Sequence, residues 1–164
     1  MLNKILEWSG YKRMELIYRA SKDGGTSNDF HNKYDNKGPT ICLYKNEKGN
    51  IFGGYAPISW DKNVGYYRSA PDSFIYILTN IHNTQPTKFP NSNQNYSLYF
   101  NNSYGQNFGA GHDICIYSDF MNSTHYNFPH SYQYNLGKGN SIFSGQQNNN
   151  KFKIKELEVF KLFK

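Results

Sequence analysis

Residues 40–56 read TICLYKNEKGNIFGGYA, two short apolar runs divided by Asn46-Glu47-Lys48-Gly49. In the first, over 40–45, Ile41 and Leu43 alternate with Cys42 and Tyr44, so successive side chains fall on opposite faces of a strand. The second, Asn50 to Ala56, returns across a turn where Gly49 can take the positive φ that a hairpin requires. Gly53 and Gly54 within it point to a bulge or to close approach by another backbone. This hairpin sets the expectation of an antiparallel β protein.

Outward from it the pattern repeats. Residues 14–20 (MELIYRA) read as a strand, and Asp23-Gly24-Gly25 turns the chain. Thr26 or Ser27 can N-cap a short helix that carries Phe30 and Tyr34 on one side and stops at Lys37-Gly38-Pro39. Before all of this, Leu2, Ile5 and Leu6, with Trp8, share one side at helical spacing up to Ser9-Gly10. Downstream, strands are expected at 73–79, 96–100, 113–118 and 152–163, with polar loops at 91–95, 101–107 and 146–150. The last strand changes parity. Phe152 and Ile154 share one face, Leu157 and Val159 the other, and Phe160 and Leu162 return to the first. A continuous strand then needs bulges near 155–156 and 159–160. A helix over 154–163 is the competing reading, because Ile154, Leu157 and Phe160 are three apart.

Composition narrows the class. Ala occurs four times and Leu nine times in 164 residues, too few of the best helix formers for a helical bundle. Mean hydropathy is −0.80, and Leu, Ile, Val and Phe make up only about a fifth of the chain, near the floor for a folded domain. The 15 tyrosines offset this, since each can bury a large ring while its hydroxyl finds a partner. The reading is mainly β (α+β), a sandwich of two antiparallel sheets with a few short helices. It covers residues 1–164 as one domain, with 1–10 as an N-terminal helical segment and 11–164 as the β-sandwich body.

Eighteen Lys and Arg against twelve Asp and Glu give a formal charge of +6. The excess sits at the two ends, in residues 1–48 and 151–164, and the long middle is neutral. There is no basic run and no Arg-aromatic stripe, so nucleic acid is not the expected partner. No stretch approaches the roughly 20 apolar residues of a membrane helix. Cys42 and Cys115 lie outside any CxxC pair, which favours a cytoplasmic setting.

Sites of chemistry are scarce. Gly105 to Gly111 lacks the Gly-Lys-Ser/Thr ending of a phosphate loop and precedes a strand rather than a helix, so it reads as a turn. His112-Asp113 beside Cys115 could pair a base with a nucleophile, but strand alternation separates His112 from the other two. Five histidines (31, 82, 112, 125, 130) show no metal-ligand spacing. Asp23 reads as a turn residue. Glu156 and Glu158, among lysines 153, 155 and 161, read as a solvated strand edge. Neither a catalytic residue nor a metal or cofactor is expected.

Taken together, these strings resemble the TLDc domain. The resemblance runs through Arg19–Ser21–Asp23–Gly24, Asp29-Phe30-His31, Asp35 to Thr40, Ile51 to Tyr55, Trp60 and Leu78-Thr79-Asn80. It continues at Tyr104-Gly105, Phe108 to Ile114, His130-Ser131-Tyr132 and Ile154 to Phe160. Gly25 stands where the family has an aromatic residue, and Ala110 interrupts three glycines, a conservative change unless Ala110 needs positive φ. The resemblance implies a two-sheet sandwich without an established catalytic centre. It also implies oxidative-stress resistance and, in eukaryotes, binding to the peripheral subunits of the vacuolar proton-pumping ATPase (V-ATPase).

The expected function is therefore a non-enzymatic protein-protein interaction domain that regulates V-ATPase assembly or activity. It is expected to be a cytoplasmic monomer without an integral membrane segment, recruited to endomembranes through the pump. The candidate partner-binding residues are Lys22, Asp23 and Gly24 in one turn, Gly109, Gly111, His112 and Asp113 in another, and Lys153 and Lys155 in the basic C-terminal segment. Two alternatives stand beside this: an adaptor module of a larger signalling protein, and an antioxidant enzyme using Cys42 or Cys115 as a peroxide-reactive thiol.

Overall fold

A computed structural model describes residues 2–119, the backbone of 124–125, and residues 127–147 and 149–164. Helix α1 (Leu2–Ser9) leads into β1 (Arg13–Arg19), followed by α2 (Ala20–Asp23) and α3 (Ser27–Tyr34). The hairpin is β2 (Thr40–Asn46) and β3 (Ile51–Ala56). Then come β4 (Tyr67–Arg68), β5 (Phe74–Thr79), β6 (Thr87–Pro90), a 3-10 turn at Gln94–Tyr96 and β7 (Leu98–Tyr99). The chain closes with β8 (Tyr104–Phe108), β9 (Ile114–Tyr117), β10 (Thr124–His125), α4 (Ser141–Ser144), β11 (Lys151–Phe152) and β12 (Ile154–Phe163). Among the described residues no helix is long and apolar enough to cross a membrane.

The strands form two six-stranded antiparallel sheets, ordered β1-β12-β2-β3-β5-β6 and β11-β10-β9-β8-β7-β4. Between them lies the main core. Cys42, Tyr44, Phe52 and Ile75 of the first sheet meet Leu98, Phe108, Ile114 and Ile116 of the second, with Trp60 wedged among them. The opposite face of the first sheet is also buried. Ile41, Tyr55, Phe74, Tyr76 and Leu162 hold Ile5 of α1 there. Burial on both faces explains why these strands are apolar at both parities.

The two glycines of β3 are sites of close approach. A Cβ on Gly54 would collide with the Phe108 ring of the facing sheet, and one on Gly53 with the Cys42 carbonyl and the Tyr76 ring. The Tyr76 hydroxyl instead donates to that carbonyl at 2.8 Å. The bulge on this pair lies elsewhere, opposite β5 between Ile51 and Phe52. Gly49 takes φ +84° in the hairpin turn, as its position requires.

Several expectations need correction. The last segment is a strand, not a helix, and it divides at Lys153: Lys151–Phe152 joins the second sheet and Ile154–Phe163 the first. One of its register breaks is present, between Ile154 and Glu156. The break expected near 159–160 lies across the ladder in β1, between Leu16 and Tyr18. No bulge is needed in β12 there, because Val159 faces the main core and Phe160 faces α1. β12 also runs between β1 and β2 and is not an edge.

The 101–107 segment, expected as a loop, contains β8, whose Gln106 and Asn107 are fully buried and so hide the hydrophobic pattern. Strand 14–20 ends one residue early where Ala20 opens α2, and strand 96–100 shrinks to β7 behind the 3-10 turn. α2, β4, β6, β10 and α4 have no counterpart among the elements expected from sequence. Asn148 of the expected 146–150 loop and the His125 side chain lie outside the described residues.

Candidate functional site

The 22–25 turn is built by its neighbours. Thr26 caps α3 through a reciprocal pair: Asp29 N donates to Thr26 Oγ1, and Thr26 N donates to Asp29 Oδ2, both at 3.2 Å. Gly24, at φ +111°, has no room for a Cβ beside the Asp29 carboxylate. Asp23 Oδ2 accepts the Arg19 amide at 2.9 Å, and Lys33 Nζ lies 3.4 Å from Oδ1. The amide bond, then Lys33, holds the Asp23 carboxyl below its ordinary range. Lys22 remains exposed.

Glu156 and Glu158 face this turn. Arg19 Nη2 lies 2.6 Å from Glu158 Oε1, and the Ser21 amide and hydroxyl both donate to Glu156. The two carboxylates therefore clamp the end of β1 and α2 onto β12 and are not a solvated edge, because β12 is internal to its sheet. Lys155 extends from β12 and Lys153 immediately precedes that strand, and both are exposed. The Lys153 amide donates to Glu47 at 2.8 Å. Through Ser21 and Glu156 the 22–25 turn lies against the strand that carries Lys155, whereas Lys153 is tied to the β2–β3 turn.

The second group lies elsewhere. Buried His31 of α3 reaches Asp35 Oδ1 with Nδ1 (2.8 Å) and the Tyr104 carbonyl with Nε2 (2.8 Å), which fixes α3 to the start of β8. Loop 109–113 closes the other end of β8, roughly 13 Å further along at about 3.3 Å per residue. No local sequence pattern signals this division.

In that loop Asp113 is fully buried. Its Oδ1 accepts the His130 amide at 2.7 Å, and both oxygens accept the Ser131 amide at 3.0 Å. Burial raises its carboxyl to about 6, against the opposing pull of those amides. The Ser131 hydroxyl accepts the Ala110 amide at 3.0 Å. Gly109, at φ +84°, is packed on Asp113, and Gly111 on the His130 ring. Ala110 is not among the positive-φ residues, so the chain accepts a side chain between these glycines.

His112, at φ +55°, reaches Asn107 Oδ1 with Nδ1 at 2.8 Å, and burial followed by the nearby His130 lowers its pKa. Gly109 and Asp113 are interior scaffolding; Gly111 and His112 are half-buried.

Both thiols are buried and free. Burial pushes Cys42 and Cys115 up to about 12. Among the described residues no cluster of three His, Cys, Asp or Glu side chains is arranged to hold a metal.

The TLDc domain profile matches residues 1–163. The chain belongs to the TLDc domain family. No match was found among curated protein sequences. In this TLDc domain the residues that carried the sequence resemblance are largely the ones that build the fold: Trp60 and Phe108 in the core, Asp29 and Gly24 at the first turn, Asp113 and Gly109 at the second. An aromatic groove missed by sequence reading also lies on the outer face of the first sheet. Its lining comes from widely separated segments, which no local pattern links.

Proposed function

We propose that this TLDc domain is a non-enzymatic interaction module that binds peripheral subunits of the V-ATPase and regulates its assembly or activity. Oxidative-stress resistance would follow from that regulation. The observation that carries the reading is how the reactive groups are committed. Asp113 and His31 are tied to backbone amides and carbonyls, and both thiols are buried with raised pKa values. Buried thiols that resist ionisation speak against a peroxide-reactive centre. What the domain offers a partner is surface, including the exposed cations Lys22, Lys153 and Lys155.

The test is titration of the purified chain onto intact V-ATPase, following ATP hydrolysis and release of the peripheral sector together. Saturable inhibition with release is the expected result. Absence of binding at micromolar protein would overturn the pump reading and leave the adaptor role.

A further inference from the structure

The groove beside α1 has a volume of about 620 Å³, within the range of ligand sites. Tyr11, Tyr55, Phe74 and Trp8 form a continuous row along it, with successive ring centroids 6.4, 5.0 and 6.3 Å apart. A lysine stands over the row towards each end: Lys164 Nζ lies 4.4 Å from the Tyr11 ring centre and Lys88 Nζ 5.2 Å from that of Phe74. Both lysines are exposed, and neither forms an ion pair among the described residues. Asp72 is the one carboxylate side chain in the lining.

We infer that this groove docks an acidic segment of a partner protein, one that sets an aromatic or aliphatic side chain on the ring row and a carboxylate at each lysine. The inference rests on the interaction-module reading. Each ammonium group stands over a ring without an ion-pair partner and so favours a carboxylate on the occupant, and the rings supply apolar contact between them. The part of the row between the two lysines, Tyr11 to Phe74, spans on the order of 10 Å, about three residues of extended chain, so both carboxylates and the anchor fit within one short segment. β6, which carries Lys88, is an edge strand ending in Pro90 and preceded by Pro86. Prolines there disfavour strand addition, so side chains rather than a backbone ladder provide recognition.

A random library of peptides about 12 residues long, displayed on phage, would be selected on the intact chain. The enriched clones would then be compared on a Lys88→Glu/Lys164→Glu variant. Both positions are exposed, so the variant keeps its fold. Selected sequences should carry Asp or Glu around an aromatic or aliphatic residue. Synthesised peptides should bind the variant at least about tenfold more weakly and lose affinity as salt rises.

They should also protect Trp8 from iodide quenching, since Trp60, the other tryptophan, is buried. Failure to enrich clones, clones without acidic residues, or equal affinity for the variant would overturn the inference. So would equal protection of Trp8 by phenylacetate, which would make the groove a small-molecule site. A silent pump with a peptide-binding groove fails the pump reading alone. A pump-binding chain whose groove takes no acidic peptide fails the groove alone.

Discussion

Asp113 accepts the Ser131 backbone amide on both carboxylate oxygens, each at 3.0 Å, from a fully buried position. The contact fixes the β8–β9 turn to residues 130–131, yet the charged form is costly there, and burial raises the carboxyl from 3.8 to about 6. A raised folded-state pKa means that the folded protein holds its proton where the unfolded chain has released it. The contribution is fully present below the unfolded value of about 4 and is lost as pH rises through about 6. Acting alone, this group would account for about 3 kcal/mol across that window.

Urea unfolding between pH 3.5 and 7 checks this by comparing the chain with Asp113→Asn. The variant should lack this component of the pH dependence. It should also be less stable at low pH by about 1–3 kcal/mol, because an amide NH₂ would face the Ser131 N–H. Parallel pH profiles would show that Asp113 does not titrate in this range.

The glycines of the same turn make a second prediction. Gly109→Ala should cost about 2–4 kcal/mol, combining positive φ with a Cβ driven into Asp113. Ala110→Gly should cost about 1 kcal/mol or less, through chain entropy alone. Gly54→Ala should resemble the first, since its Cβ would displace the Phe108 ring that joins the two sheets. Midpoints of thermal unfolding would rank the three, and a tolerated Gly109→Ala would mean that the turn relaxes.

These costs mark where sequence reading reached and where it stopped. The hairpin of β2 and β3 was legible because its alternation, its turn and Gly49 all agree. β8 was not, because Gln106 and Asn107 are buried polar residues whose environment comes from distant segments: Tyr44 lies 3.5 Å from Gln106, and His112 bonds Asn107. The parity change of β12 was legible, but its cause was not. It depends on α1 covering the outer face, a tertiary fact. Glu156 and Glu158 depart from the solvated edge expected of them for the same reason, since only the sheet order places Ser21 and Arg19 opposite them. The candidate residues fall into two groups, and their separation along β8 depends on which end of the strand α3 occupies.

Thiol chemistry gives a third prediction. With Cys42 and Cys115 pushed up to about 12, only about one thiol in 10,000 is ionised at pH 8, compared with about one in four for an ordinary exposed cysteine. Labelling by a disulfide reagent at pH 8 should therefore be slow in the native chain and rapid in denaturant. A Cys42→Ala/Cys115→Ala variant should leave peroxide consumption unchanged. Fast native labelling of either thiol would reopen the antioxidant-enzyme reading.

The clamp between α2 and β12 separates stability from binding. Arg19–Glu158 is partly exposed, with the Arg19 side chain 45% accessible, so it contributes no more than about 1 kcal/mol. Glu156 holds both the amide and the hydroxyl of Ser21, and Glu156→Ala should loosen the 22–25 turn, read as faster amide exchange at Ser21. Lys153 and Lys155 are exposed, and their side chains make no hydrogen bond or ion pair among the described residues. Reversing both to Glu should change stability by less than about 0.5 kcal/mol while weakening pump binding several-fold at low salt. Affinity unchanged by that reversal would remove the basic segment from the contact surface and leave the outer face of the first sheet as the place to look.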